Sequence, residues 1–127
     1  MENAKEHKTI LVIDDSTTNI VLLQAVLNTK GYNIETALNV KEAHNSISKK
    51  KPDLILLDLL MPRINGFDFL KELKETKGLD QIPVIVVSAM TDQETEQRTK
   101  ELGAIHFVKK PIDIQNIIAL VSNVFNI

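Results

Sequence analysis

Unbroken apolar runs of strand length alternate along this chain with longer stretches whose apolar residues recur every three or four positions. The first run, Thr9-Ile10-Leu11-Val12-Ile13, is largely β-branched and has no polar break, which predicts a strand buried on both faces. Asp14-Asp15-Ser16 ends it, and Ser16 or Asp15 can cap a helix running to about Lys30, before Gly31. A short strand is predicted near Asn33–Ala37, then a helix from about Val40 to Lys50 with Val40, Ala43 and Ile47 on one side. Pro52 leads into a second apolar strand, Asp53-Leu54-Ile55-Leu56-Leu57, which stops at Asp58. Leu59 to Asn65 reads as a loop, and Gly66 opens a helix with Phe67, Leu70 and Leu73 inward. A third buried run, Val84-Ile85-Val86-Val87, follows Pro83 and stops at Ser88. A helix from about Asp92 to Leu102 ends at Gly103, and a strand over Ile105–Val108 leads to Lys110-Pro111. Ile114, Ile117, Ile118, Val121 and Phe125 form one stripe of a last helix.

Five strands, each followed by a helix, make a (βα)5 pattern: an α/β fold with a doubly wound parallel sheet covered on both faces. Linkers, repeats and low-complexity segments are absent, so the 127 residues read as one domain, 1–127, with a polar tail over about 1–7. Hydrophobic residues at 43% and charged residues at 25% fit a globular chain rather than a disordered one. With no cysteine, disulfides, thiol catalysis and thiolate metal sites are excluded. Fifteen basic against seventeen acidic residues leave a charge of −2, and the one basic run is Lys49-Lys50-Lys51, which argues against binding a nucleic-acid backbone. No apolar run reaches the roughly 18 residues of a membrane span, and the polar start lacks the apolar core of a signal peptide. A cytoplasmic location is therefore expected.

In open α/β sheets, ligands sit beyond the carboxyl ends of the strands. Here the residues ending strands are Asp14 and Asp15, Asp58, Ser88 and Lys110. If strands one and three are neighbours, as in the order 2-1-3-4-5, three carboxylates converge on one crevice, flanked by a hydroxyl and an ammonium. At 4 Å and an effective dielectric near 20, each carboxylate pair repels by about 4 kcal/mol. Either one proton is retained or a hard cation neutralises the cluster, and Mg²⁺ suits ligation by oxygen alone. A carboxylate so placed beside a lysine and a hydroxyl can accept a phosphoryl group. Singly, Asp14-Asp15 reads as a strand-end turn and cap, Ser88 as a loop hydroxyl and Lys110 as a surface lysine. Asp58, between a five-residue apolar strand and Leu59-Leu60-Met61, is poorly placed for mere solubility. The joint placement at strand ends favours the functional reading.

The motifs Ile10-Leu11-Val12-Ile13-Asp14-Asp15, Leu56-Leu57-Asp58-Leu59-Leu60-Met61-Pro62 with Asn65-Gly66, Val86-Val87-Ser88-Ala89, Gly103-Ala104 and Phe107-Val108-Lys109-Lys110-Pro111 occur in order on the expected elements. From about Lys8 to Ile127 the chain resembles a response-regulator receiver (CheY-like, flavodoxin-like) domain of bacterial two-component signalling. The resemblance implies that Asp58 is the phosphoacceptor. Asp15, Asp58 and the backbone carbonyl of Leu60 would hold Mg²⁺ directly, with Asp14 acting largely through water. Ser88 and Phe107 take the two switch positions. Lys110, which directly precedes Pro111, takes the lysine role, with a Lys110–Pro111 peptide that is typically cis in the family. The implied partners are a sensor histidine kinase or histidine phosphotransfer protein and a downstream protein target. No direct nucleic acid or membrane partner is implied, and a phosphorylation-dependent dimer is a further assembly that the resemblance allows. The implied chemistry is self-catalysed phosphorylation and autodephosphorylation, without turnover as an enzyme. Output would run through the face formed by the fourth helix, fifth strand and fifth helix.

Phe107 lacks the hydroxyl that tyrosine carries in many relatives, and the helix from Asp92 to Leu102 is nearly all polar. Such a helix is weakly held by burial, with Thr95 and Thr99 as its candidate underside. A pseudo-receiver is disfavoured by the intact Asp15, Asp58, Ser88 and Lys110. A dehalogenase-type phosphatase is disfavoured because Asp14-Asp15-Ser16 is not Asp-x-Asp, and a dinucleotide or P-loop enzyme because no glycine lies between the first strand and helix. A helical histidine phosphotransfer protein is disfavoured by the strands, and His7, His44 and His106 lack ligand spacing. Met1, and an end that coincides with the fifth helix, are expected of a stand-alone regulator rather than a receiver within a hybrid kinase.

Overall fold

Parallel strands joined by helices bury both faces, and the computed structural model has that arrangement. It describes residues 8–61, 64–90 and 92–126, without the side chains of Met61 and Ile64. The tail over 1–7, Pro62 of the second motif and Ile127 lie outside the described residues. Strands β1 (Thr9–Ile13), β2 (Asn33–Ala37), β3 (Leu54–Asp58), β4 (Val84–Ser88) and β5 (His106–Lys109) form one sheet in the order β2-β1-β3-β4-β5. Each neighbouring pair is parallel. Helices α1 (Thr17–Thr29), α2 (Val40–Lys49), α3 (Gly66–Glu75), α4 (Gln93–Glu101) and α5 (Ile114–Phe125) make the crossovers. No helix among the described residues is long and apolar enough to cross a membrane.

Successive side chains of a strand point to opposite faces, which sorts the core into two layers. Leu11, Ile13, Ile55, Leu57, Val84 and Val86 pack with α2 and α3 residues such as Ala43, Phe69, Leu70 and Leu73. Ile10, Val12, Leu54, Leu56, Ile85, Val87 and Val108 pack with Ile20, Leu23 and Leu27 of α1 and Ile117 and Val121 of α5. The central strands β1, β3 and β4 are buried along their whole length, as their unbroken apolar runs predict.

Three boundaries differ from expectation: β5 starts at His106 rather than Ile105, and two others lie beside β3. Asp53 stays outside β3 because it staples the amino ends of two strands: Thr9 N–H donates to Asp53 Oδ2 and Asp53 N–H to the Thr9 carbonyl, both at 2.8 Å. The segment read as a loop after Asp58 contains an antiparallel ribbon, Leu60–Met61 against Ile64–Asn65, pairing Leu60 with Asn65. The ribbon is clamped by Gly66, where a Cβ would lie 2.6 Å from Leu59 Cα and 2.9 Å from Leu59 O. Glycine is needed there for close approach of backbone to backbone.

Helix α4 is held unusually. Its buried residues are Thr95 and Thr99, whose hydroxyls donate to Asp92 and to the Glu96 carbonyl, each at 2.9 Å. Arg98 adds an aromatic contact, its guanidinium lying over the Phe67 ring on α3 at 4.1 Å from the ring centre.

Candidate functional site

Strands β1 and β3 are neighbours with Ile13 opposite Leu57, so the next residue on each, Asp14 and Asp58, meet at the carboxyl edge of the sheet. Asp14, Asp15 and Asp58 each offer an oxygen within 4.8 Å of the others. Asp14 and Asp58 are buried, and Asp15 is exposed. Alternation sends Asp14 (after Ile10 and Val12), Asp58 (after Leu54 and Leu56) and Lys110 (after Val108) to the α1/α5 side of the sheet. Lys110, with its side chain 19% exposed, reaches both buried carboxylates: Nζ lies 3.2 Å from Asp14 Oδ2 and 3.2 Å from Asp58 Oδ2. The Lys110–Pro111 peptide is cis.

Backbone donors hold the remaining oxygens. Ser16 N–H donates to Asp14 Oδ1 at 2.8 Å, and Leu60 N–H to Asp58 Oδ1 at 3.1 Å. The Asn19 amide donates from Nδ2 to Asp14 Oδ2 at 3.3 Å. Burial, reinforced by the charge of Asp14, raises the Asp58 carboxyl from its ordinary 3.8 to about 6 despite the Leu60 and Lys110 donors. Burial works against the charge of Lys110, but the anions Asp58 and Asp14 outweigh it and hold the ammonium above its ordinary value.

Ser88 and Phe107 belong to the other side. Ser88 is fully buried, accepts from Met90 N–H at 3.0 Å through Oγ, and accepts from Lys110 N–H at 2.9 Å through its carbonyl. Phe107, opposite Val86 in the register, is half-buried against the α2/α3 layer. Thus Asp14, Asp15, Asp58 and Lys110 form one constellation, while Ser88 joins it only through the backbone and Phe107 lies behind the sheet. Leu60 stands exposed on the ribbon.

An all-oxygen donor set of two buried carboxylates and one exposed carboxylate fits a hard divalent cation. Sequence reasoning missed Asn19 and the Leu59–Gly66 contact. The first had one signal, a neutral amide at the third helical position after a cap, where glutamate or glutamine is usual. The second, an approach across the ribbon, had none.

A family profile described as the response regulator receiver domain matches residues 10–122. Sporulation initiation phosphotransferase F of Bacillus subtilis is 37% identical over 108 residues, covering 85% of this chain and 86% of that protein. Response regulator PleD of Caulobacter vibrioides is 36% identical over 104 residues, 82% of this chain but 23% of PleD, so the chain spans about a quarter of that relative. Among solved structures, the receiver domain of a signal transduction histidine kinase from Syntrophus aciditrophicus superposes with a TM-score of 0.85 at 33% identity, over 94% of this chain and 90% of that one. Vibrio cholerae chemotaxis protein CheY4 superposes with a TM-score of 0.86 at 27% identity, over 92% of this chain and 98% of that one. With its acidic crevice at the carboxyl ends of a 2-1-3-4-5 sheet, the chain belongs to the response regulator receiver domains of two-component signalling.

Proposed function

We propose that residues 1–127 act as one phosphoacceptor unit that takes a phosphoryl group onto Asp58 from a sensor histidine kinase or a histidine phosphotransfer protein. The observation that carries this reading is the meeting of Asp14, Asp15, Asp58 and Lys110 in one crevice. An Asp58 carboxylate oxygen attacks phosphorus, the P–N bond to the donor imidazole breaks as the P–O bond forms, and the departing nitrogen takes up a proton. Lys110 already faces Asp58 and neutralises charge on the incoming group, and the Ser88 hydroxyl donates to one of its oxygens. Asp15, Asp58 and the Leu60 carbonyl would hold Mg²⁺, with Asp14 acting through water. When bound, the ion supplies charge neutralisation for the transferring group. Autodephosphorylation is attack by water on phosphorus, which breaks the P–O bond to Asp58, releases inorganic phosphate and returns the carboxylate.

Output follows from the second layer. Ser88 moves toward the phosphoryl group, Phe107 turns inward, and the α4–β5–α5 face changes shape for a downstream protein target or a second copy of the chain. A phosphorylated side chain with its metal supplies the few kcal/mol that a two-state element needs to change population. The setting is cytoplasmic, where donor and target meet.

The test is intact-mass analysis after acetyl phosphate with Mg²⁺. One phosphoryl group is expected on the wild type and none on Asp58→Asn. Equal labelling of the two would overturn the assignment.

A further inference from the structure

Helix α1 begins in a way that a capping box does not explain. Ser16 is its cap, with Oγ accepting from Asn19 N–H at 3.3 Å. In a capping box the third helical residue reaches back to the cap's own N–H. Here that N–H is already taken by Asp14 Oδ1 at 2.8 Å, which leaves the Asn19 side chain free of the usual duty. It turns instead to Asp14 Oδ2, at 3.3 Å. Asp14 Oδ2 has a second side-chain neighbour, the Lys110 ammonium at 3.2 Å, and Lys110 is shared with Asp58 at 3.2 Å.

The residue type matters as much as the contact. Helices α2, α3 and α4 carry acidic residues in their first turns, Glu42, Asp68, Glu94 and Glu96, whereas α1 and α5, which flank the carboxylates, carry none. A carboxylate at position 19 would add a further negative charge beside Asp14. A lysine or arginine would neutralise Asp14 permanently and oppose a cation. An amide is the neutral donor that orients Asp14 without either effect.

We propose that Asn19 is a positioning residue of the acidic centre, holding Asp14 through Oδ2 so that the three carboxylates stay arranged for a divalent cation. The inference rests on the reading of that centre as a Mg²⁺ site. Partners that orient metal-site ligands typically change metal affinity 10- to 100-fold when removed. The long Asn19–Asp14 bond puts this one at the lower end.

Thermal unfolding and calorimetric titration with Mg²⁺, without phosphodonor, test it on wild type, Asn19→Ala and Asn19→Gln. Asn19→Ala should need about tenfold more Mg²⁺ for half of the stabilisation, with little change in the metal-free melting temperature. Asn19→Gln, which keeps the donor, should recover most of the wild-type midpoint. A capping role alone would lower the metal-free melting temperature and leave the midpoint in place. That result, or a wild-type midpoint in Asn19→Ala, overturns the inference while the site reading stands. A wild type indifferent to millimolar Mg²⁺ in both measurements overturns the site reading, and the role of Asn19 with it. If Asn19→Ala does not fold, Asn19→Ser carries the same comparison, a wild-type midpoint again overturning the role.

Discussion

Replacing Asp58 by asparagine keeps its shape and removes its charge, and the structure sets the size of the result. The carboxyl is buried and titrates at about 6, against 3.8 in the unfolded chain. That gap is worth about 3 kcal/mol between the charged and neutral forms. Because the folded value lies above the unfolded one, the folded state holds more protons between the two, and stability falls as pH rises from about 4 through about 6. Above about pH 6 the full cost is in force, and below about pH 4 it vanishes. Asparagine never carries that cost, and the attraction of Lys110, 3.2 Å from Asp58, is already counted in the folded value. The expected gain for Asp58→Asn without metal at about pH 8 is therefore about 3 kcal/mol, a rise of about 10 °C in melting temperature. At about pH 4.5 the gain should shrink to about a third of that. Urea unfolding of both proteins in EDTA at the two pH values measures it. Added Mg²⁺ should close the gap by stabilising only the wild type. Equal stability at about pH 8 in EDTA, or a gain that grows on acidification, would refute the reasoning.

Gly66→Ala should cost about 1–3 kcal/mol in urea unfolding and slow phosphorylation by acetyl phosphate, because its Cβ would lie 2.6 Å from Leu59 Cα, one residue from Asp58; unchanged stability would count against the contact. Arg98→Ala removes the stack on Phe67 at a cost of about 0.5–1 kcal/mol. Its amide exchange should quicken in α4 and stay unchanged in β1, β3 and β4, whereas an unaltered α4 would show that the stack does not hold it.

What the chain's pattern reveals depends on which forces leave a trace in it. Strands β1, β3 and β4 were legible because burial on both faces demands unbroken apolar runs, and Asp58 stood out where such a run met a charge. The helical stripe of α5 was legible for the matching reason. Strand β5 sits one residue later than its pattern suggested, since Ile105 is exposed and joins the sheet only by donating its N–H to the Val84 carbonyl. The ribbon at Leu60–Met61 was illegible because two residues have no period to show. The underside of α4 was legible only by elimination, since threonines satisfied within their own turn leave no apolar signature. The bond of Asn19 to Asp14 depends on how the end of β1 sets the carboxylate beside the first turn of α1, a placement that the residue type alone hints at but does not fix.

The split of the strand-end residues between two layers also bears on how such a domain can diversify. Asp14, Asp58 and Lys110 share the α1/α5 side, while Phe107 packs on the other and Ser88 alternates toward it. On the proposed function, Ser88 is the member of the phosphoryl machinery that faces the layer of Phe107, so chemistry and report would meet at that side chain. Substitutions on the exposed sides of α4 and β5 would leave the Lys110 and Asn19 contacts to the carboxylates in place. Both layers stay constrained by their cores, so on that reading different listeners would be gained through exposed positions alone.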